Sequence, residues 1–191
     1  MAKQTINVGT LPNNGRGDSL RDAFIKVNEN TDELYGLKFG KYNYNHNGGT
    51  QAITASTWTH VLNDGAGANT ILTCVYPDVD IYDTTTSLFN MTDLDLCSDV
   101  DIRFDANVTT NSANQVVRVR VLLAVGVLDI PLTFISNQFK TAGSNPLFGD
   151  IRVDALSDLT RTNDFRIEIW SDSSCTLDLN GWNLKVSKIT H

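Results

Sequence analysis

Charge is scarce in this sequence, and what there is leans acidic. Asp, Glu, Lys and Arg make up 19% of the chain and the net charge is −7, so no basic face is offered to a phosphate backbone and nucleic acid is not an expected partner. Cysteine is equally sparse. Cys74, Cys97 and Cys175 form an odd set without C-x-x-C spacing, which excludes a disulfide framework or a cysteine zinc site and predicts buried thiols. Long apolar runs are missing: the richest stretch, 117–134, is broken by Arg118, Arg120 and Asp129, and the N-terminal MAKQTINVG has no apolar segment of signal-peptide type. Neither a membrane span nor a leader is expected, and the product is expected to be made in a cytoplasm. The three histidines, His46, His60 and His191, have no carboxylate or cysteine at ligand spacing. No metal, no cofactor and no enzyme activity are expected, since a convincing carboxylate pair is lacking as well.

What the sequence does hold divides near residue 40. Leu20, Phe24, Val27, Thr31 and Leu34 recur at alternating intervals of four and three, with Arg21, Lys26, Glu29 and Glu33 elsewhere round the cylinder. That spacing predicts a helix beginning near Asp18 and carrying a narrow apolar seam. Asp18 or Ser19 supplies a cap for its free amides, Gly36 and Gly40 supply stop signals, and Gly15 and Gly17 permit a tight path into it. Residues 1–40 are thus read as an arm and helix, and 41–191 as a second domain.

That second domain follows a polar connector, KFGKYNYNHNGGT, and alternates with period two. Strands are predicted at Thr57–Leu62, Thr70–Tyr76, Asp99–Phe104, Gln115–Ala124, Ile130–Phe134, Phe165–Ser171 and Asn183–Ile189, separated by turn clusters such as NDGAGAN, TTNSAN, TAGSNP and DLNG. The fold class expected is mainly β, an antiparallel sandwich of jelly-roll type preceded by a short helix. Val117–Val127, the most apolar stretch, is the expected central strand. Asp78, Asp80, Asp83, Asp93, Asp95, Asp99 and Asp101 alternate with apolar residues and are expected on a solvated rim, without the spacing of a calcium loop. Trp58, Trp170 and Trp182 lie in or beside strands, where packing is favoured over a sugar-stacking platform.

A 3-4 seam this narrow suits a helix that packs in parallel with copies of itself, although docking on the β-domain would satisfy the same periodicity. Its N-terminal place, behind a turn-rich arm and ahead of the connector, favours self-association. The string Asn7-x-Gly9-Thr10-x-Pro12-Asn13-x-Gly15-x-Gly17-Asp18-x-Leu20-Arg21-x-Ala23-Phe24-x-Lys26-x-Asn28-x-Asn30-x-x-Glu33-Leu34-Tyr35 resembles the N-terminal module of many virion proteins of tailed bacteriophages. Arg16-Gly17-Asp18, which equals an integrin-recognition tripeptide, falls on this pattern and takes its meaning from it.

The resemblance implies a homotrimer whose N-terminal segment seats on other virion structural proteins, of the tail, the baseplate or the capsid, while the β-domains project outward. A tail, baseplate or fibre-attachment site is the leading expectation, with capsid decoration and a host-glycan-binding module as alternatives. Thr31 departs from the family pattern, which carries Phe there, so the trimer would rely more on the sandwich. The expected docking residues of the arm are its large side chains Ile6, Val8 and Leu11, shaped by Pro12, Gly15 and Gly17.

Overall fold

The computed structural model describes residues 5–7, 15, 17–35, 39–45, 49–63, 69–70 and 81–187. The chain divides into two compact units, Met1–Lys38 and Phe39–Thr190. The first holds helix α1, Leu20–Tyr35. Of the predicted stop signals, Gly36 lies outside the described residues and Gly40 sits in a strand.

The second unit is an antiparallel β-sandwich of the jelly-roll class. Its strands are β1 (Phe39–Asn45), β2 (Thr50–Ile53), β3 (Thr59–His60), β4 (Asn69–Thr70), β5 (Tyr82–Asp83), β6 (Leu88–Phe89), β7 (Asp99–Thr110), β8 (Gln115–Leu123), β9 (Ile130–Phe139), β10 (Gly143–Asp154), β11 (Arg166–Ser171) and β12 (Cys175–Ser187), with a short helix α2 (Asp158–Thr162) before β11. One sheet runs β10-β7-β12-β1-β4, with β2 also paired to β12, and the other runs β3-β11-β8-β9. Strand β8 lies inside the second sheet, where Val117, Val119 and Val121 are fully buried, as the apolar stretch predicted. They share one core with Val100, Ile102, Phe104, Leu184 and Val186 of the other sheet.

Three departures from the sequence reading have physical causes. The connector contains β1, which pairs along its whole length with β12, Phe39 opposite Ser187 through Asn45 opposite Gly181; strand formation there is set by pairing, against the low strand propensity of asparagine. TAGSNP is not only a turn: β10 starts at Gly143 and takes in Pro146. As β10 is an edge strand, the missing proline amide need not cost a ladder hydrogen bond. DLNG lies inside β12, where the register against β7 shifts between Leu179 and Gly181 and Gly181 takes a φ of 143°. The bulge changes the parity of the buried positions. Cys175, Leu177 and Leu179 point inward before it and Trp182, Leu184 and Val186 after it, so the strand keeps one apolar face across its length. The predicted strand Thr70–Tyr76 lies mostly outside the described residues, as do 64–68 of NDGAGAN.

Candidate functional site

The N-terminal unit is built round Asp18. Its backbone amide donates to the Asn7 carbonyl at 2.8 Å, and its carboxylate Oδ2 accepts the Asn7 amide at 2.8 Å, so residues 7 and 18 are tied in both directions. Lys26, two turns into α1, donates to the same carboxylate oxygen at 2.7 Å and to the Thr5 carbonyl at 3.3 Å. The Lys26 hydrogen bond, then that of the Asn7 amide, hold the Asp18 carboxyl below its usual pKa. Capping falls to its neighbour. The Ser19 hydroxyl accepts the Asp22 amide at 3.1 Å and donates to the Asp22 carboxylate at 2.7 Å, which satisfies a first-turn amide at the N-cap. Of the two expected caps, then, Ser19 performs the capping and Asp18 is turned to the arm. Gly15 adopts the left-handed region, φ 68°, with open space round it, while Gly17 is exposed. Ile6 is half-buried; Val8, Leu11, Pro12 and Arg16 lie outside the described residues.

The clasp and the seam occupy different sides of α1. Leu20, Phe24 and Val27 are 76%, 59% and 41% exposed, whereas Ala23 and Lys26 are half-buried. At about 100° per residue, the Ala23–Lys26 flank stands roughly a quarter turn from the seam. Residues 5–7 are therefore tied down beside the seam, which stays exposed at Leu20, Phe24 and Val27. Thr31 and Leu34 continue it as helical positions, their side chains lying outside the described set.

The other candidates separate. Trp182 is buried in an aromatic cluster with Phe89 at 5.4 Å and Phe104 at 5.3 Å between ring centroids. Trp58 and Trp170 stay half-buried, 6.4 Å apart. Among the aspartates, Asp83, Asp93 and Asp95 are exposed, but Asp99 is buried, 6% exposed. It opens β7, flanked by Asp154 and Ser187 on its two neighbours, with Arg152 at 3.3 Å; burial raises its pKa against the pull of that arginine. Asp78 and Asp80 lie outside the described residues. Among the described residues no three His, Cys, Asp or Glu gather into a metal-binding group, and no helix is long and apolar enough to cross a membrane. Cys175 is buried, yet Cys97 is exposed: it sits in a turn with φ 67°, its amide bonded to Ala155 O at 2.9 Å. Cys74, His46 and His191 lie outside the described residues. His60 is packed beneath the β5–β6 ribbon, its Nε2 2.9 Å from Ser87 O, and burial lowers its pKa.

No family model matches the chain. Over 33 residues the sequence is 58% identical to the baseplate wedge protein gp10 of Enterobacteria phage T4, a match covering 17% of this chain and 6% of that protein. Solved structures of similar fold include Eiger TNF from S. frugiperda, with TM-score 0.48 and 11% identity over 81% of this chain and 94% of that one. Particles derived from infectious bursal virus give TM-score 0.48 and 9% identity over 79% of this chain and 32% of that one. The CBM22-1 xylan-binding domain of Paenibacillus barcinonensis Xyn10C gives TM-score 0.36 and 11% identity, covering 78% and 94%.

Proposed function

We propose that this chain is a structural protein of a tailed-bacteriophage virion: a homotrimer anchored through residues 1–40 to other virion proteins at the tail, baseplate or fibre-attachment site, with its β-sandwich carried outward. The observation that carries the proposal is the open seam. Three large apolar side chains, Leu20, Phe24 and Val27, face solvent on one side of α1, while the arm that precedes it is tied to the adjacent flank through Asp18 and Lys26. Parallel packing of three such helices would bury that stripe, at about 1.5–3 kcal/mol for each large side chain, and would leave three arms displayed at one end of the bundle. Ile6, Val8 and Leu11 then supply apolar contact three times over, so that no single arm has to bind tightly. The short match to a phage baseplate protein supports a place on the particle.

Electron microscopy of phage particles labelled with antibody against this protein tests the reading. Label at the tail or baseplate is expected; label spread over the head would make the protein a capsid decoration; particles without label would remove the virion assignment.

A further inference from the structure

The outer face of the β3-β11-β8-β9 sheet carries a feature that attachment does not use. On β8 the inward Val117, Val119 and Val121 alternate with Arg118 and Arg120, and on β11 Ile167 and Ile169 alternate with Arg166, Glu168 and Trp170. The register sets Trp170 opposite Arg118 and Glu168 opposite Arg120, so these side chains are cross-strand neighbours. The Arg118 guanidinium carbon lies 5.0 Å from the centre of the Trp170 ring and that of Arg120 lies 4.0 Å from Trp58, both within cation–π range. Trp58 arrives from the loop before β3. Ser56 in that loop adopts the left-handed region, φ 58°, and its amide is bonded to Ser171 O at 2.7 Å; the loop is pinned to the end of β11, which fixes Trp58 beside Trp170.

The charges on this face are unequal in their commitments. Glu168 is almost fully covered and is shared by Arg120, at 2.7 Å, and Arg166, at 2.8 Å. Arg118 is exposed and, among the described residues, makes no ion pair. In a chain of net charge −7 the face thus sets three guanidiniums, those of Arg118, Arg120 and Arg166, against the Glu168 carboxylate, with that of Arg118 stacked on Trp170 and outside any ion pair among the described residues. The neighbouring strand adds no charge: β9 places Ser136 opposite Arg118 and Thr133 opposite Arg120, both exposed.

We propose that this face binds a saccharide bearing a carboxylate, with Trp170 and Trp58 against the sugar ring and Arg118 on its acid group. Aromatic rings match the C–H face of a pyranose, exposed hydroxyls match its hydroxyls, and a planar guanidinium matches a carboxylate in bidentate fashion. A polyphosphate chain fits less well, because two of the three arginines are already neutralised in part by Glu168 and the rest of the chain is acidic. The site uses only residues of the sandwich and stands whether or not residues 1–40 are the anchor.

The test uses the full chain with trigalacturonate, its fully methyl-esterified form and oligothymidylate of similar length, followed by calorimetry and tryptophan fluorescence. The acid sugar is expected to bind at millimolar concentration or below, and the ester at least about tenfold more weakly, the difference that loss of one charge-assisted contact makes. Arg118→Gln, at an exposed position that does not threaten folding, should abolish the preference for acid over ester; Trp170→Ala should weaken both. Absence of binding by the acid sugar, an ester that binds equally well, an Arg118→Gln variant that keeps the preference, or oligothymidylate binding as tightly would each overturn the proposal. So would light scattering showing that Trp170→Ala dissociates an oligomer, which would make the face a contact between copies.

Discussion

The two units of this chain differ in whether their large apolar side chains close over a core. In the sandwich Phe89, Phe104, Phe165 and Leu147 have no measurable exposure, and the aromatic rings stack on one another, Phe89 and Phe165 with centroids 5.0 Å apart. In α1 the side chains of comparable size on the seam face water, Phe24 at 59% and Leu20 at 76%. The sandwich thus has a closed core within one chain, although Phe148 and Leu156, 65% and 74% exposed, also face solvent at its surface. The helix has no such core among the described residues, and an isolated helix of this length is marginal in water. Under the proposed assembly, association would fall to the helix and independent stability to the sandwich.

The largest effect expected from any single change lies in the sandwich core. Phe89→Ala should cost about 3–5 kcal/mol of unfolding free energy, measured by denaturant titration followed by circular dichroism, and should leave the oligomeric state of the surviving folded fraction unchanged. Phe24→Asp should do the reverse. It forfeits about 1.5–3 kcal/mol of burial in each helix and sets like charges against a common axis, so light scattering should fall from trimer to monomer while the unfolding midpoint of the sandwich holds. A midpoint that dropped with the oligomer would show that the sandwich also carries the assembly, the role that Thr31 in the seam suggested for it.

Smaller, and confined to the sandwich, is the effect of Gly149→Ala. A Cβ at Gly149 of β10 would stand 2.7 Å from Cγ1 and 2.8 Å from Cδ1 of Ile135 in β9, where the edges of the two sheets meet. Overpacking of this kind costs about 1–3 kcal/mol. The same titration should register it, and a neutral result would mean that β9 and β10 can separate at little cost.

How far each unit could be read from sequence follows from the range of its interactions. The helix and strand β8 were legible because their patterns are local: α1 shows its seam in 3-4 spacing, and Gln115–Leu123 ends one residue short of the predicted stretch. Strands β7 and β12 were found but run longer than expected, because Thr109 and Thr110 of TTNSAN and Asn180 and Gly181 of DLNG read as turn where pairing between the strands overrides them. Strand β10, interrupted by Asn145, Pro146 and Gly149, was hidden for the same reason. The role of Asp18 was partly legible. A helix-entry aspartate reads as a cap, and nothing local tells that Ser19 performs this function while Asp18 reaches back to Asn7. The Trp58, Arg120, Glu168 and Arg118, Trp170 arrangement was not legible at all, since it exists only through the register of β8 against β11.

The smallest effect distinguishes the arm from everything else. Lys26 and the Asn7 amide lower the pKa of Asp18, so the clasp contributes stability that is fully present above the unfolded aspartate value, about 3.9, and is lost as pH falls through the depressed folded value. In the sandwich the shifts are mixed, and the Thr86 and Thr85 hydrogen bonds lower the pKa of Asp83 as well. Burial lowers the His60 pKa and raises that of Asp99, so its pH dependence begins at less acid pH and contains opposing parts, and a global melting curve cannot isolate the clasp. A local readout can. The amide proton of Asn7, which donates to Asp18 at 2.8 Å, should keep its shifted NMR position down through pH 4, about the unperturbed aspartate value, and move only in more acid solution. Lys26→Met removes the larger cause of the depression and should bring that transition up toward the unperturbed value, with the sandwich resonances unaffected. If the transition stays where it was, the ion pair does not hold residues 5–7, and the backbone hydrogen bond from the Asp18 amide to the Asn7 carbonyl is left to do so.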